Sequence, residues 1–223
     1  MGKLIVLEGT DGCGKSTQLE RLAARLEKEK TDFRRLRFPR YDKDSSALIR
    51  MYLGGAFGER PEDVNPYAAS SFFAVDRYAS YAQDWKDYYA DGGLLISDRY
   101  TTSNAVHQGG KLSGEAQREF FGWLYDMEFT KMRLPKPDLV ILLDLPTELA
   151  RRMLRHREAD THTQADIHEK SAAYLAECRA AAAEAAKFYG WSVVSCARDG
   201  QVRSVEEIHE DVYALVRRCM EEG

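Results

Sequence analysis

Four apolar residues, Leu4-Ile5-Val6-Leu7, run through Glu8 into Gly9-Thr10-Asp11-Gly12-Cys13-Gly14-Lys15-Ser16. An amphipathic segment extends from Ser16 to Lys30, with Leu19, Leu22, Ala23 and Leu26 on one face. A buried strand, a glycine-rich turn and a helix in that order constrain the fold more than any other feature of the chain. The turn matches G-x-x-x-x-G-K-[ST] in full. Its glycines let the main chain curl so that N–H groups point inward, and the helix start adds a positive dipole end. Such a cradle suits the phosphates of a nucleoside triphosphate, with Lys15 as a point charge between the β- and γ-phosphates and Ser16 offering a hydroxyl to Mg²⁺. Residues Gly9, Thr10, Asp11, Gly12, Cys13, Gly14, Lys15, Ser16 and Thr17 are therefore the expected nucleotide-binding loop. Asp11 is the odd member, because a carboxylate repels the ligand it lines. It either faces a neutral or cationic group, such as a sugar hydroxyl or the metal, or is a turn residue directed to solvent.

Beyond the loop, short apolar runs alternate with long amphipathic segments. Strands are expected at Leu4–Leu7, Phe33–Phe38, Leu94–Ile96, Leu139–Leu143 and Trp191–Cys196. Helices are expected at 16–30, 45–53, 65–90, 113–129, 146–155, 167–189 and 205–221. Strands separated by helices imply right-handed crossovers and a five-stranded parallel sheet covered on both faces, an α/β fold. With 223 residues and no composition break, one domain over 1–223 is expected. The polar stretch from Arg155 to about Asp166 reads as a mobile lid.

Lys and Arg number 32 against 36 Asp and Glu, a net charge of −4, which argues against a chain built to grip nucleic-acid backbone. Cys13, Cys178, Cys196 and Cys219 show no zinc or redox spacing, and five histidines do not cluster at metal-ligand spacings. Reduced thiols in a cytoplasm, with no membrane span, are the expectation. A guanine-reading N-K-x-D is absent, since Asn65 and Asn104 are followed by Pro66 and Ala105, which disfavours a GTP switch.

Leu94-Leu95-Ile96-Ser97-Asp98-Arg99-Tyr100 delivers an acid and a base at the carboxyl end of a strand, where ligands of open α/β sheets bind. Asp98 suits Mg²⁺ through water, and Arg99 suits a phosphoryl oxygen; a surface ion pair is the alternative. Taken with Glu8–Thr17, Phe38-Pro39-Arg40-Tyr41, Phe73-Ala74-Val75-Asp76-Arg77, Asp98–Asn104, Leu134-Pro135-Lys136-Pro137-Asp138 and Asp166-Ile167-His168-Glu169, the set resembles the thymidylate kinase family, in family order.

The resemblance implies a P-loop nucleoside monophosphate kinase fold with a lid. It also implies Mg²⁺-dependent transfer of the ATP γ-phosphoryl group to dTMP, giving dTDP and ADP in dTTP synthesis. Phe73 would stack on thymine and Arg77, four residues on and on the same helix face, would donate to its O4. Ser103 and Asn104 would reach the base. Tyr41 and Arg99 would fix the acceptor phosphate, Asp11 would meet the sugar 3′-hydroxyl, and Phe38–Pro39 carries an expected cis bond. Phe38, Pro39, Arg40, His107, Gln108 and His168 complete the expected substrate contacts, and Ser16, Asp98, Asp166 and Glu169 the metal contacts. Gly12 stands where some members carry a basic residue, so the sequence resembles the bacterial lid-arginine type. Lys15, Arg99, Arg155 and Arg157 are then the expected catalytic residues, although Arg151 and Arg152 fit a solvated helix end equally well. His107 and His168 replace the commoner Tyr and Tyr or Arg, which leaves ribonucleotide exclusion open. The stripe Tyr78, Tyr81, Trp85, Tyr88 reads first as core packing and second as a homodimer face. Another nucleoside monophosphate, or a free nucleoside, is the rival acceptor.

Overall fold

The computed structural model describes residues 1–161 and 172–222, with side chains over 1–154 and 173–222. The chain begins with β1 (Lys3–Glu8), α1 (Lys15–Lys28), β2 (Arg34–Arg37), α2 (Ala47–Leu53) and α3 (Pro66–Ser80). α3 opens on Pro66 with Asn65 as its cap, the Asn65 Oδ1 accepting from the Tyr67 and Ala68 amides. It widens into a π turn over Tyr81–Trp85 and ends as α4 (Lys86–Ala90). β3 (Leu94–Asp98), α5 (Thr101–His107) and α6 (Gly114–Tyr125) come next, α6 running into a second π turn at Asp126–Lys131. β4 (Leu139–Asp144), α7 (Thr147–Thr161), α8 (Ala172–Tyr189), β5 (Ser192–Ser195), a small hairpin of β6 (Ala197–Arg198) and β7 (Gln201–Val202), and α9 (Val205–Glu221) complete the described residues.

β1 to β5 form a parallel sheet in the order β2-β3-β1-β4-β5. Alternation along β1 explains the two cores, since successive side chains point to opposite faces. Ile5 and Leu7 pack with Leu19, Leu22 and Leu26 of α1 and Ile208, Val212 and Val216 of α9. Leu4 and Val6 face the other way, toward Trp85, Leu95, Tyr100 and Val140. The strand order reverses at β1, so the crevice at the carboxyl ends of β1, β3 and β4 is the topological switch point of the sheet.

Four expectations are revised. The helix starting near Pro146 does not stop at Arg155 but continues to Thr161, so the polar stretch begins inside α7. The helix over 113–129 changes its hydrogen-bonding period at Asp126. Thr101–His107 is a helix that the hydrophobic pattern does not announce. The aromatic stripe divides: Trp85 is buried with Tyr81 and Tyr88 against it, while Tyr78 stays exposed. Phe38–Pro39 is cis, as the resemblance implied.

Candidate active site

Gly9, Gly12 and Gly14 all take positive φ, which lets the loop turn its amides toward one centre. Gly14 precedes α1 with no side-chain cap among the described residues, so the first turn of α1 keeps N–H groups that a ligand can bond. Gly12 has a second constraint. A Cβ there would stand 2.5 Å from the Ala150 carbonyl oxygen and 2.9 Å from Leu154 Cγ. α7 therefore lies directly on the loop, and no side chain fits between them. The Lys15 ammonium donates to the carbonyls of Gly9 (2.6 Å) and Thr10 (3.2 Å), and lies 4.0 Å from Asp11 Oδ1. Cys13 points into the core; burial pushes its thiol pKa up, against the opposing pull of Lys15. Only its main chain can serve a ligand.

β3 ends at Asp98, and the next residue, Arg99, takes φ 65°, a conformation costly for a side-chain-bearing residue. The Arg99 amide donates to the Leu7 carbonyl, and the Ser97 hydroxyl to the Arg99 carbonyl (2.6 Å), so the strained turn is tied to both strands. Its guanidinium pairs with Asp11, lies 3.6 Å from Glu8 Oε1 and 3.3 Å from Ser103 Oγ, and meets His107 Nε2 at 3.0 Å. Burial opposes its charge, but Asp11, Glu8 and Asp98 outweigh it and move the pKa upward. Arg99 and Lys15 together balance Asp11, which accounts for a carboxylate in a phosphate cradle. Since Arg99 can only donate, His107 accepts through Nε2 and carries its proton on Nδ1, 3.7 Å from Cys178 Sγ.

Two buried glutamates, absent from the sequence-based site, organise the rest. Glu8 accepts from the Gly9 amide (2.9 Å) and from the Thr102 and Ser103 hydroxyls (2.6 Å each), joining the loop to α5. Glu128, inside the second π turn, accepts from Arg77 Nε (2.7 Å), Arg77 Nη2 and Thr101 Oγ1 (2.6 Å). Glu8 opens the matched segment Glu8–Thr17 but was given no role there, and Glu128 lies in no motif. The usable signal was a single acid after an apolar strand (Glu8) and a single acid in an aromatic-rich helix face (Glu128).

A cavity of about 690 Å³ opens along this crevice, lined by Asp11, Gly12, Gly14, Lys15, Ser16, Thr17, Phe38, Pro39, Tyr41, Phe73, Arg77, Asp98, Arg99, Ser103, Asn104, His107 and Gln108, among others. Phe73 meets Tyr52 edge-on at 6.3 Å between centroids, which fixes its ring as part of the wall. Asn104 donates to the Ser70 carbonyl (3.1 Å), and Gln108 to the Tyr52 hydroxyl (3.5 Å), while Gln108 Oε1 has no partner among the described residues. The structure thus brings the loop, Arg99, Phe73 and Arg77 to one cavity. Gly9, Thr10 and Cys13 lie behind its wall. Arg40 does not line it: its backbone amide and Nε bond Asp76 (2.9 and 3.2 Å) and its Nη1 pairs with Asp84, two carboxylates that hold the guanidinium away. Arg155, Arg157, Asp166, His168 and Glu169 lie outside the residues whose side chains are described; α7 reaches the cavity with Met153 and Leu154. Among the described residues no three His, Cys, Asp or Glu gather as a metal cage. The Ser16 hydroxyl and the Asp98 carboxylate, whose nearest cation is Arg37 at 3.9 Å, are hard oxygen donors that fit Mg²⁺ held largely by phosphates and water.

The family model described as "Thymidylate kinase" matches residues 7–212. The chain is 33% identical over 190 residues to the thymidylate kinase of Mycobacterium tuberculosis, covering 84% of this chain and 87% of that protein. It is 31% identical over 219 residues to a probable thymidylate kinase of Thermococcus onnurineus, covering 95% and 96%. A probable thymidylate kinase of Pyrobaculum aerophilum is 26% identical over 216 residues, with 97% of each chain covered.

Proposed function

The chain belongs to the thymidylate kinase family, as an ATP-dependent nucleoside monophosphate kinase, and on that premise we propose how its own residues carry the γ-phosphoryl group from ATP to dTMP. The observation that carries the reading is that one cavity is lined by the phosphate loop with Lys15, by Arg99, which pairs with Asp11 of that loop, and by Phe73 and Arg77, whose guanidinium bonds the Tyr100 carbonyl next to Arg99. The ATP phosphates occupy the loop, where Lys15 exchanges the Gly9 and Thr10 carbonyls for β- and γ-oxygens. Ser16 and Asp98, with Asp166 and Glu169 as further candidates, would hold Mg²⁺, which when bound would neutralise charge on the phosphates. Arg99, with Tyr41 on the rim, holds the dTMP phosphate facing the γ-phosphorus.

That acceptor is already an anion, so no strong base is needed, and no covalent intermediate forms. An acceptor oxygen attacks the γ-phosphorus in line while the bond to the β–γ bridging oxygen breaks and ADP leaves. Catalysis is positioning plus electrostatic stabilisation of charge spread over the transferring group. Because Gly12 leaves no room for a basic side chain in the loop, the remaining cation is assigned to the polar lid stretch that begins inside α7, with Arg155 or Arg157 as its catalytic arginine. Phe73 stacks on thymine, and Arg77, Ser103, Asn104 and Gln108 surround it. Asp11 meets the sugar 3′-hydroxyl, and His107 lies near the 2′ position.

One kinase domain over 1–223, cytoplasmic, small-molecule in its partners and paired as a homodimer, completes the proposal. No helix among the described residues is long and apolar enough to cross a membrane, and all four cysteines are free thiols. A coupled ADP-release assay with ATP against dTMP, dUMP, UMP, dCMP and thymidine tests it. The expected result is highest kcat/KM with dTMP; a stronger preference for another acceptor overturns the base-reading assignment.

A further inference from the structure

We infer that Glu128 is a positioning residue that aims Arg77 at the base and thereby sets the choice between a pyrimidine bearing a carbonyl at position 4 and one bearing an amino group there. This rests on the acceptor reading of the cavity. Arg77 carries five N–H donors in a fixed plane. Glu128 takes two of them, on Nε and Nη2, in a fork-to-fork pair, and the Tyr100 carbonyl takes one on Nη1 at 3.3 Å. One N–H on each terminal nitrogen is left without an acceptor among the described residues, and the buried Arg77, its side chain 2% exposed, forms part of the cavity wall. A fork-to-fork pair fixes rotation of the guanidinium plane, which a single contact would leave free. Glu128 is itself wholly buried and locked by the Thr101 hydroxyl at 2.6 Å, so the aim is set by two elements, the π turn and α5.

The chemistry of what is left facing the cavity is one-sided. A guanidinium donates and never accepts, so a carbonyl at position 4 is bonded and an amino group is opposed. Glu128 also cancels the Arg77 charge at the base end. The π turn explains why Glu128 reaches Arg77: the wider turn at Asp126–Lys131 shifts the helix phase, so that Glu128 faces inward on an otherwise polar-edged segment.

The test is Glu128→Gln, with KM and kcat measured for ATP and for dTMP, and kcat/KM for dTMP against dCMP. Expected are a KM for dTMP raised roughly ten- to a hundredfold, a KM for ATP within about twofold of wild type, and a dTMP:dCMP ratio reduced by roughly tenfold or more. A merely structural residue would move both substrates together. Unchanged dTMP KM and unchanged ratio in folded Glu128→Gln overturn the assignment. If that variant fails to fold, Thr101→Val keeps the charge pair but removes one bond from Glu128. It is expected to raise the dTMP KM alone and to lower the ratio, and unchanged values there overturn the assignment too. A wild-type enzyme that ignores dTMP would instead sink the substrate reading, and the two failures are distinguishable in the same assay.

Discussion

Arg99 is held against its own conformational preference. Its φ of 65° is tolerable because two hydrogen bonds pin the turn and because Asp11, Glu8, Ser103 and His107 surround the guanidinium. Strain kept at one residue in this way is typical of a group whose position matters more than its stability. Lys15→Ala and Arg99→Ala are expected to remain folded by circular dichroism while kcat falls on the order of a thousandfold; near-normal turnover in either variant removes that residue from the mechanism. Lys111 offers a different measurement. Burial, partly offset by Glu62, lowers its pKa from 10.5 to about 8, and its ammonium donates to the Tyr52 hydroxyl and the Val64 carbonyl, both at 3.0 Å. Between pH 8 and 10.5 the unfolded chain binds this proton and the folded chain does not, so Lys111 contributes stability that rises with pH across that window. Buried tyrosines and cysteines with raised pKa work in the opposite sense above about pH 9. The wild type is therefore compared with Lys111→Met: the Tm difference, variant minus wild type, is expected to shrink from about pH 7.5 to about pH 9.5, and a constant difference contradicts the assignment. At this scale the sequence discloses residues that act through the main chain or through a fixed spacing, such as the loop and Phe73/Arg77. It hides the roles of Glu8, which only edges a matched segment, and of Glu128, which lies in no motif, because each role exists only once two distant segments meet.

Elements were legible in proportion to their hydrophobic period. β1, β4, α1 and α9 follow strand and helix patterns closely, and each buries a full face. α5 was not legible, because Thr101-Thr102-Ser103-Asn104 are poor helix formers whose side chains usually compete with the backbone. Here those hydroxyls are occupied elsewhere, by Glu128 and Glu8, and the helix forms around them. Arg155 likewise looked like the start of a loop because the polar residues after it hide a helix that continues to Thr161. The contact between α7 and the phosphate loop gives an element-scale prediction. Gly12→Ala adds a methyl at φ +83° that meets the Ala150 carbonyl, so α7 must shift. The backbone cost is about 1–2 kcal/mol, which lowers Tm by roughly 2–8 °C for a chain of this size. Turnover is expected to fall tenfold or more, read in the ADP-release assay. Wild-type turnover would show that the seating of α7 on the loop is irrelevant to the reaction.

For the whole molecule, the five-stranded parallel sheet followed from alternation of short apolar runs and long amphipathic ones, whereas the order of its strands and the assembly did not. Of the aromatic stripe on α3 and its continuation, Trp85 is 1% exposed and Tyr78 47% exposed, so one periodic pattern served two destinations. Val75, one turn before Tyr78, is 52% exposed, and together they mark the outward face proposed for an isologous pair. Tyr78→Glu is expected to convert a dimer to a monomer in light scattering coupled to size exclusion. A wild-type chain already monomeric at micromolar concentration would overturn the pairing.

The hydrogen bond from the Arg99 amide to the Leu7 carbonyl, and that from the Phe38 amide to the Asp98 carbonyl, fasten three neighbouring strand ends in register. One of these ends issues the cradle for the donor, the next the clamp for the acceptor, and the third the cis turn beside it. The sheet therefore works as a calliper whose jaws cannot slide. If the cradle and Arg99 hold the two phosphates as proposed, a nucleoside would leave a gap between them and a diphosphate would overfill it, so that acceptors would be sorted by length as well as by base.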